Sequence, residues 1–214
     1  CSSDLTTRVM EVYRSMQESR VLLDLVTFNC LINACARVGD MEQASQFFRE
    51  MCTQGVMPDL VTYSTVIKGY CVQGDLEQAV QLFTLMRKRG IKPDAILFNA
   101  ILDGCARKQM TSMSELMLAD MESSGVAPSN QTLAILVRLY GKCHDLETAQ
   151  GYVERLPKQY GFEVNVQVQA SLLLACCSCG AMKQAFAVFG QMAHPDAKAF
   201  STLITGCLKS GDVA

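Results

Sequence analysis

The chain has 214 residues, 50% of them hydrophobic and 19% charged, which allows a sizeable core and excludes a disordered polyelectrolyte. A formal net charge of -2 with a pI near 5.7 argues against a generic nucleic-acid binder held by overall basicity. Eleven cysteines, an odd number recurring at equivalent places, read as free thiols of a reducing compartment rather than a disulfide scaffold. Gly, Asp, Gln and Lys interrupt every apolar run before the roughly 18 to 20 residues that cross a bilayer, so no membrane insertion is expected.

Residues 1–24 read as the second half of a helical hairpin, with Val9, Val12, Tyr13 and Met16 at helical spacing on one face. Leu25–Asp59 and Leu60–Asp94 then say nearly the same thing in a 35-residue frame. Each reads as two short amphipathic helices. In Leu60–Asp94 the stripes are Val66, Ile67 and Tyr70, then Leu76, Ala79, Leu82, Phe83 and Met86. Gly74-Asp75 stops the first helix and caps the second, and Pro93-Asp94 prevents the second from running on.

Ala95–Ser129 continues in frame. Asn130–Asn165 is longer, with its break at His144-Asp145 and an extended closing loop expected over Pro157-Lys158-Gln159-Tyr160-Gly161. Val166–Asp196 is shorter, with its break at Gly180-Ala181, and Ala197–Ala214 is a first helix that reaches Gly211-Asp212. The start at Cys1 and the stop partway through a unit read as an excerpt of a longer protein. A hairpin of this size cannot bury both stripes alone, so it must stack on its neighbours, and the expected fold is an all-α solenoid.

The period and landmarks separate two helical repeats. A tetratricopeptide unit has about 34 residues and a Trp landmark, and this chain has no Trp. The strings VTFNCLI, VTYSTVI, ILFNAIL and AKAFSTLI, followed by GD-x-E-x-A and M-x-x-x-G-x-x-P-D, resemble pentatricopeptide repeat proteins across nearly the whole chain. The resemblance implies a right-handed α-solenoid and modular binding of single-stranded RNA, one base per repeat, in an organelle (mitochondrion or chloroplast).

Carried over position by position, the resemblance implies base reading by an early residue of each first helix and the last residue of the unit. The early set is Asn29, Ser64, Asn99, Ala134, Ala170 and Ser201; the late set is Asp24, Asp59, Asp94, Ser129, Asn165 and Asp196. Base-sandwiching positions fall on Val26, Val61 and Ile96, then on Gln131, Gln167 and Lys198. By the family's pairing rule, Asn29 with Asp59 favours U, Ser64 with Asp94 favours G, and Asn99 with Ser129 favours C, chain order running 5′ to 3′. Ala134 and Ala170 carry no hydrogen-bonding group. Phosphate contacts are implied for Arg37, Arg107, Lys142 and Lys209, late in their first helices.

Each of these residues also has an ordinary structural role. Asp beside a helix start is a cap, Pro-Asp is a turn pair, and cations collect near helix C-termini. Cys176, Cys177 and Cys179 with Cys143 and His144 invite a zinc assignment, but Cys35, Cys105, Cys176 and Cys207 share one repeat position where a small apolar residue packs, which takes Cys176 out of a CxxC with Cys179 and leaves no second ligand pair at finger-like spacing. Nothing points to a catalytic constellation, a cofactor or a small-molecule substrate, and nothing resembles the deaminase or nuclease domain that some relatives carry. Two functions remain: sequence-selective RNA binding, or a protein-interaction scaffold forming a fixed subunit of a large assembly.

Overall fold

The computed structural model describes residues 2–19 and 21–210, with side chains from residue 7 onward. The Gly211-Asp212 break lies outside the described residues. Those residues form helices and no strands: α1 (Ser2–Glu18), α2 (Leu25–Val38), α3 (Met41–Thr53), α4 (Leu60–Gln73), α5 (Leu76–Lys88), α6 (Ala95–Lys108), α7 (Thr111–Ser123), α8 (Asn130–Lys142), α9 (Leu146–Tyr160), α10 (Val166–Ser178), α11 (Met182–Gly190) and α12 (Ala197–Ser210). The chain divides into two compact units, Cys1–Ile101 and Leu102–Ala214. No described helix is long and apolar enough to cross a membrane.

The α4–α5 hairpin shows why the chain folds back where it does. Asp59 takes an extended conformation and its carboxylate accepts the Thr62 N–H at 2.9 Å, which starts α4. Gly74 ends it in the left-handed region at φ +83°, its N–H returning to Cys71 O at 3.3 Å. Asp75 caps α5 through the Gln78 N–H at 3.1 Å. The same break forms without glycine at Gln109 and His144, which adopt φ +57° and +58°. Asp145 still caps α9, whereas Met110 gives α7 no side-chain cap.

The loop expected over 157–161 is not a loop. Pro157 lies inside the last turn of α9, which runs on to Tyr160. Proline lacks only its own N–H, and its carbonyl remains a good acceptor. Pro157 O receives the N–H groups of Gly161 and Phe162 at 2.9 and 3.3 Å, so the turn closes before Gly161 leaves in the left-handed conformation.

Core packing follows the apolar stripes. In the first unit Phe28, Ile32, Phe47, Met51, Tyr63, Ile67 and Met86 are sealed from solvent. Edge-to-face ring pairs tie the layers together: Tyr13 on Phe47 at 4.9 Å and Phe48 on Tyr63 at 5.3 Å. Each such side chain contributes about 1.5–3 kcal/mol by leaving water. In the second unit α8 and α10 approach so closely that a Cβ on Gly141 would lie 2.5 Å from Ala175 Cβ and 3.0 Å from its Cα.

The cysteines belong to this packing. Cys35, Cys105 and Cys176 are buried; burial, with Asp40 adding to it at Cys35 and the neighbouring thiols at Cys176, pushes each up to about 11. Among the described residues no group of three or more His, Cys, Asp or Glu side chains could hold a metal ion. An acid whose folded pKa is raised leaves stability intact below its unfolded pKa and subtracts from it as pH climbs towards the folded value. The fold should therefore hold near neutrality and weaken from about pH 9 to 11. Iodoacetamide labelling at pH 8 checks the same burial: exposed Cys30 should react first, and Cys35, Cys105 and Cys176 only on unfolding.

Candidate nucleic-acid interface

The last residue of each unit is the N-cap of the next first helix. Asp24 accepts the Thr27 N–H at 2.8 Å, Asp94 that of Leu97 at 2.8 Å, Asn165 that of Val168 at 3.0 Å, and Asp196 that of Ala199 at 2.8 Å. Ser129 forms a capping box with Thr132. The structural role of these residues is thus real, and it fixes where their second functional group can reach.

Asp59 shows what that second reach is. Asn29, one turn into α2, is not a cap; its Nδ2 donates to Asp59 Oδ1 at 3.4 Å, across 30 residues of sequence. Thr62 Oγ1 sits 2.6 Å from Asn29 Oδ1 and 2.8 Å from Asp59 Oδ1. Burial raises the Asp59 carboxyl, but the N–H and O–H of Thr62 and the Asn29 amide outweigh it and hold the group below the usual carboxylate range. Asp59 is therefore ionised at neutral pH and acts only as an acceptor.

The other expected pairs differ. Ser64 and Asp94 are both half-buried and share no direct hydrogen bond. Asn99 is buried, only 4% exposed, whereas Ser129 is exposed. Ala134 is sealed in the core, and Asn130 supplies that unit's polar bridge instead. Its amide donates to Glu163 O at 2.8 Å and accepts the Asn165 N–H at 3.1 Å. Ser201 is exposed, with its hydroxyl donating to Ala197 O at 2.8 Å.

Val26, Val61 and Ile96, one turn before Asn29, Ser64 and Asn99, are 66%, 58% and 60% exposed. A lone exposed apolar residue needs no explanation, but the same β-branched position left open in three consecutive first helices is a pattern that packing did not require.

Cations gather in crevices between successive first helices. Between α2 and α4, Asn33, Arg37, Thr65, Lys68 and Val72 line a crevice of about 380 Å³. Between α10 and α12, Ser178, Lys198, Ser201, Thr205 and Lys209 line another of about 260 Å³. Lys142 is exposed at the end of α8. Arg107 is not free: its Nε and Nη2 bind Asp103 Oδ2 at 2.9 and 2.8 Å, and Arg138 pairs with the other carboxylate oxygen. Lys68 and Arg138 fall outside the sequence pattern, which points only to the last turn of each first helix. They stand four residues after Ser64 and Ala134, one turn farther along the same helix face. Glu42, Glu77 and Glu147 are exposed in the first turns of α3, α5 and α9, where the helix dipole favours them. Much of the acidity behind the net charge is thus kept off the first helices.

Known proteins share this architecture. The maize pentatricopeptide repeat protein PPR10 matches over all of this chain and 36% of its own length, at 23% identity and TM-score 0.62. The pentatricopeptide domain of Arabidopsis thaliana protein-only RNase P 1 matches over 79% of this chain and 89% of its own, at 21% identity and TM-score 0.66. Nuclear proteinaceous RNase P 2 from A. thaliana matches over 83% of this chain and 40% of its own, at 15% identity and TM-score 0.70. The chain thus spans little more than a third of the maize protein's structure. At these identities the likeness establishes an all-α repeat solenoid. No curated protein matches. The sequence model of the PPR repeat family matches residues 23–72 and 58–107, and that of the single PPR repeat matches 96–126 and 171–194. Matches in register over most of the chain, on a fold of stacked helical hairpins, make it a member of the pentatricopeptide repeat family.

Proposed function

We propose that the chain binds single-stranded RNA along its first helices, selecting bases in order, and acts in the stability, processing or translation of a mitochondrial or chloroplast transcript. The observation that carries this is the exposed Val26, Val61 and Ile96 series, each beside a hydrogen-bonding residue at one fixed spacing. A base stacked against such a residue buries apolar surface while its edge meets Asn29 or Ser64. Arg37 and Lys68, and farther along Lys198 and Lys209, supply the charge that phosphates require. Related structures support the reading: maize PPR10 has been solved with an 18-nucleotide psaJ RNA element, and the RNase P 1 repeat domain with tRNA.

The test is a single-stranded RNA binding array. Ser64→Asn should move preference at one nucleotide from G towards U, with stability changed by no more than about 0.5 kcal/mol. No change at any single nucleotide would sink the assignment. A protein partner retained stoichiometrically after nuclease treatment would point to a scaffold instead.

A further inference from the structure

We infer that Thr62 is a positioning residue that fixes which way round Asn29 offers its amide, and so lets this repeat tell uracil from cytosine. The inference rests on the RNA-binding reading above. Thr62 has no solvent exposure, yet its hydroxyl is not merely packed away. It accepts the Asp59 N–H at 3.2 Å and lies within donating distance of both Asn29 Oδ1 and Asp59 Oδ1. The hydroxyl has a single proton for these two acceptors; turned to Asn29 Oδ1, it gives the amide a donor on its oxygen side, opposite the Asp59 carboxylate on its nitrogen side. Turned over, it would set oxygen against the carboxylate, an acceptor facing an acceptor.

The two restraints are unequal. The Asn29–Asp59 contact is long at 3.4 Å, whereas Thr62 reaches Asn29 Oδ1 at 2.6 Å. Thr62 thus makes the closer of the two contacts that hold the amide. What remains of Asn29 is one N–H and one lone pair, in a fixed order. Uracil presents a ring N–H beside carbonyl oxygens, and cytosine presents a ring acceptor beside an amino group. The two edges reverse donor and acceptor, so an amide that cannot turn fits one and opposes the other. A threonine also follows Asn99 at the same 33-residue spacing, as Thr132, but there Ser129 replaces the carboxylate, so the two-sided clamp of hydroxyl and carboxylate belongs to Asn29; Ser64 is followed by Leu97. A serine hydroxyl rotates freely and needs no such restraint.

The experiment compares Thr62→Val, Thr62→Ser and Asn29→Ala on RNAs carrying U or C opposite Asn29, with melting curves for each protein. Valine keeps the shape and removes the hydroxyl. It should lower the U-to-C ratio at that nucleotide by about fivefold, the worth of one hydrogen bond, while the base choice opposite Ser64 is unchanged. Serine should retain the ratio. If Thr62→Val keeps the U-to-C ratio while Asn29→Ala shifts it, the inference is overturned and the RNA reading stands. A uniform loss for all RNAs with a lowered melting temperature also overturns it, as a structural role only. If neither substitution shifts any nucleotide, the base-reading role of Asn29 falls and the inference with it.

Discussion

Phe47→Ala should destabilise the chain by about 3–5 kcal/mol, measured by urea unfolding. The ring is 1% exposed and stands edge-on to Tyr13 at 4.9 Å, so truncation removes both its own burial and the support of its neighbour. Tyr13 in turn donates to Glu50 and accepts from Gln17, so the loss passes to the hydrogen bond that fixes α1 against α3. Repeats touch only their neighbours, and the damage should concentrate there. Hydrogen exchange should speed up in α1–α3 first and leave α8–α10 nearly unchanged. A cost below about 1 kcal/mol would mean that this layer is loosely packed and collapses around the gap.

The second large effect concerns RNA. Replacing Arg37 and Lys68 together by alanine should weaken binding by about tenfold or more and reduce the salt slope by about 1.4, at roughly 0.7 for each phosphate of a single strand that is no longer neutralised. Both line the crevice between α2 and α4, so the double variant removes its cations without touching the core. Melting temperature should stay within a degree or two, since exposed charges contribute little to stability. Arg107→Ala should cost less than Arg37→Ala, because Arg107 already spends two donors on Asp103. Equal losses for Arg107 and Arg37, or no change in the salt slope, would remove this crevice from the phosphate path.

How much of the fold and site is legible in the sequence depends on whether the signal is local. The hairpin breaks are, because Gly74-Asp75 and Pro93-Asp94 act on their own backbone. The break at His144 is legible through the Asp145 that follows it, whereas Gln109 is harder, since no Gly precedes and no Asp follows to advertise its left-handed turn. Pro157 misleads in the other direction: a proline near a helix end looks like a stop, yet its carbonyl closes one more turn. In the candidate site, the apolar positions are readable from the frame, but the Asn29–Thr62 bond is not. Thr62 looks like a β-branched filler in a helix start, and its acceptor lies 33 residues away. The pairing of Arg107 with Asp103 is hidden because the repeat position of a cation does not reveal which carboxylate stands one turn behind it.

Asp59 does two jobs with one carboxylate oxygen: it starts α4 and it faces Asn29. On the proposed reading, altering the base chosen by changing Asp59 also changes a helix cap, at about 1 kcal/mol for a poor replacement. Changing Asn29 or Ser64 carries no such burden, because neither holds a helix end. Recoding this array for a new sequence should thus be easiest through the early residue of each repeat. Swaps at the closing residue are restricted to Asp, Asn, Ser and Thr, the side chains that can still cap. On that reading, folding limits the range of usable letter pairs before recognition enters at all.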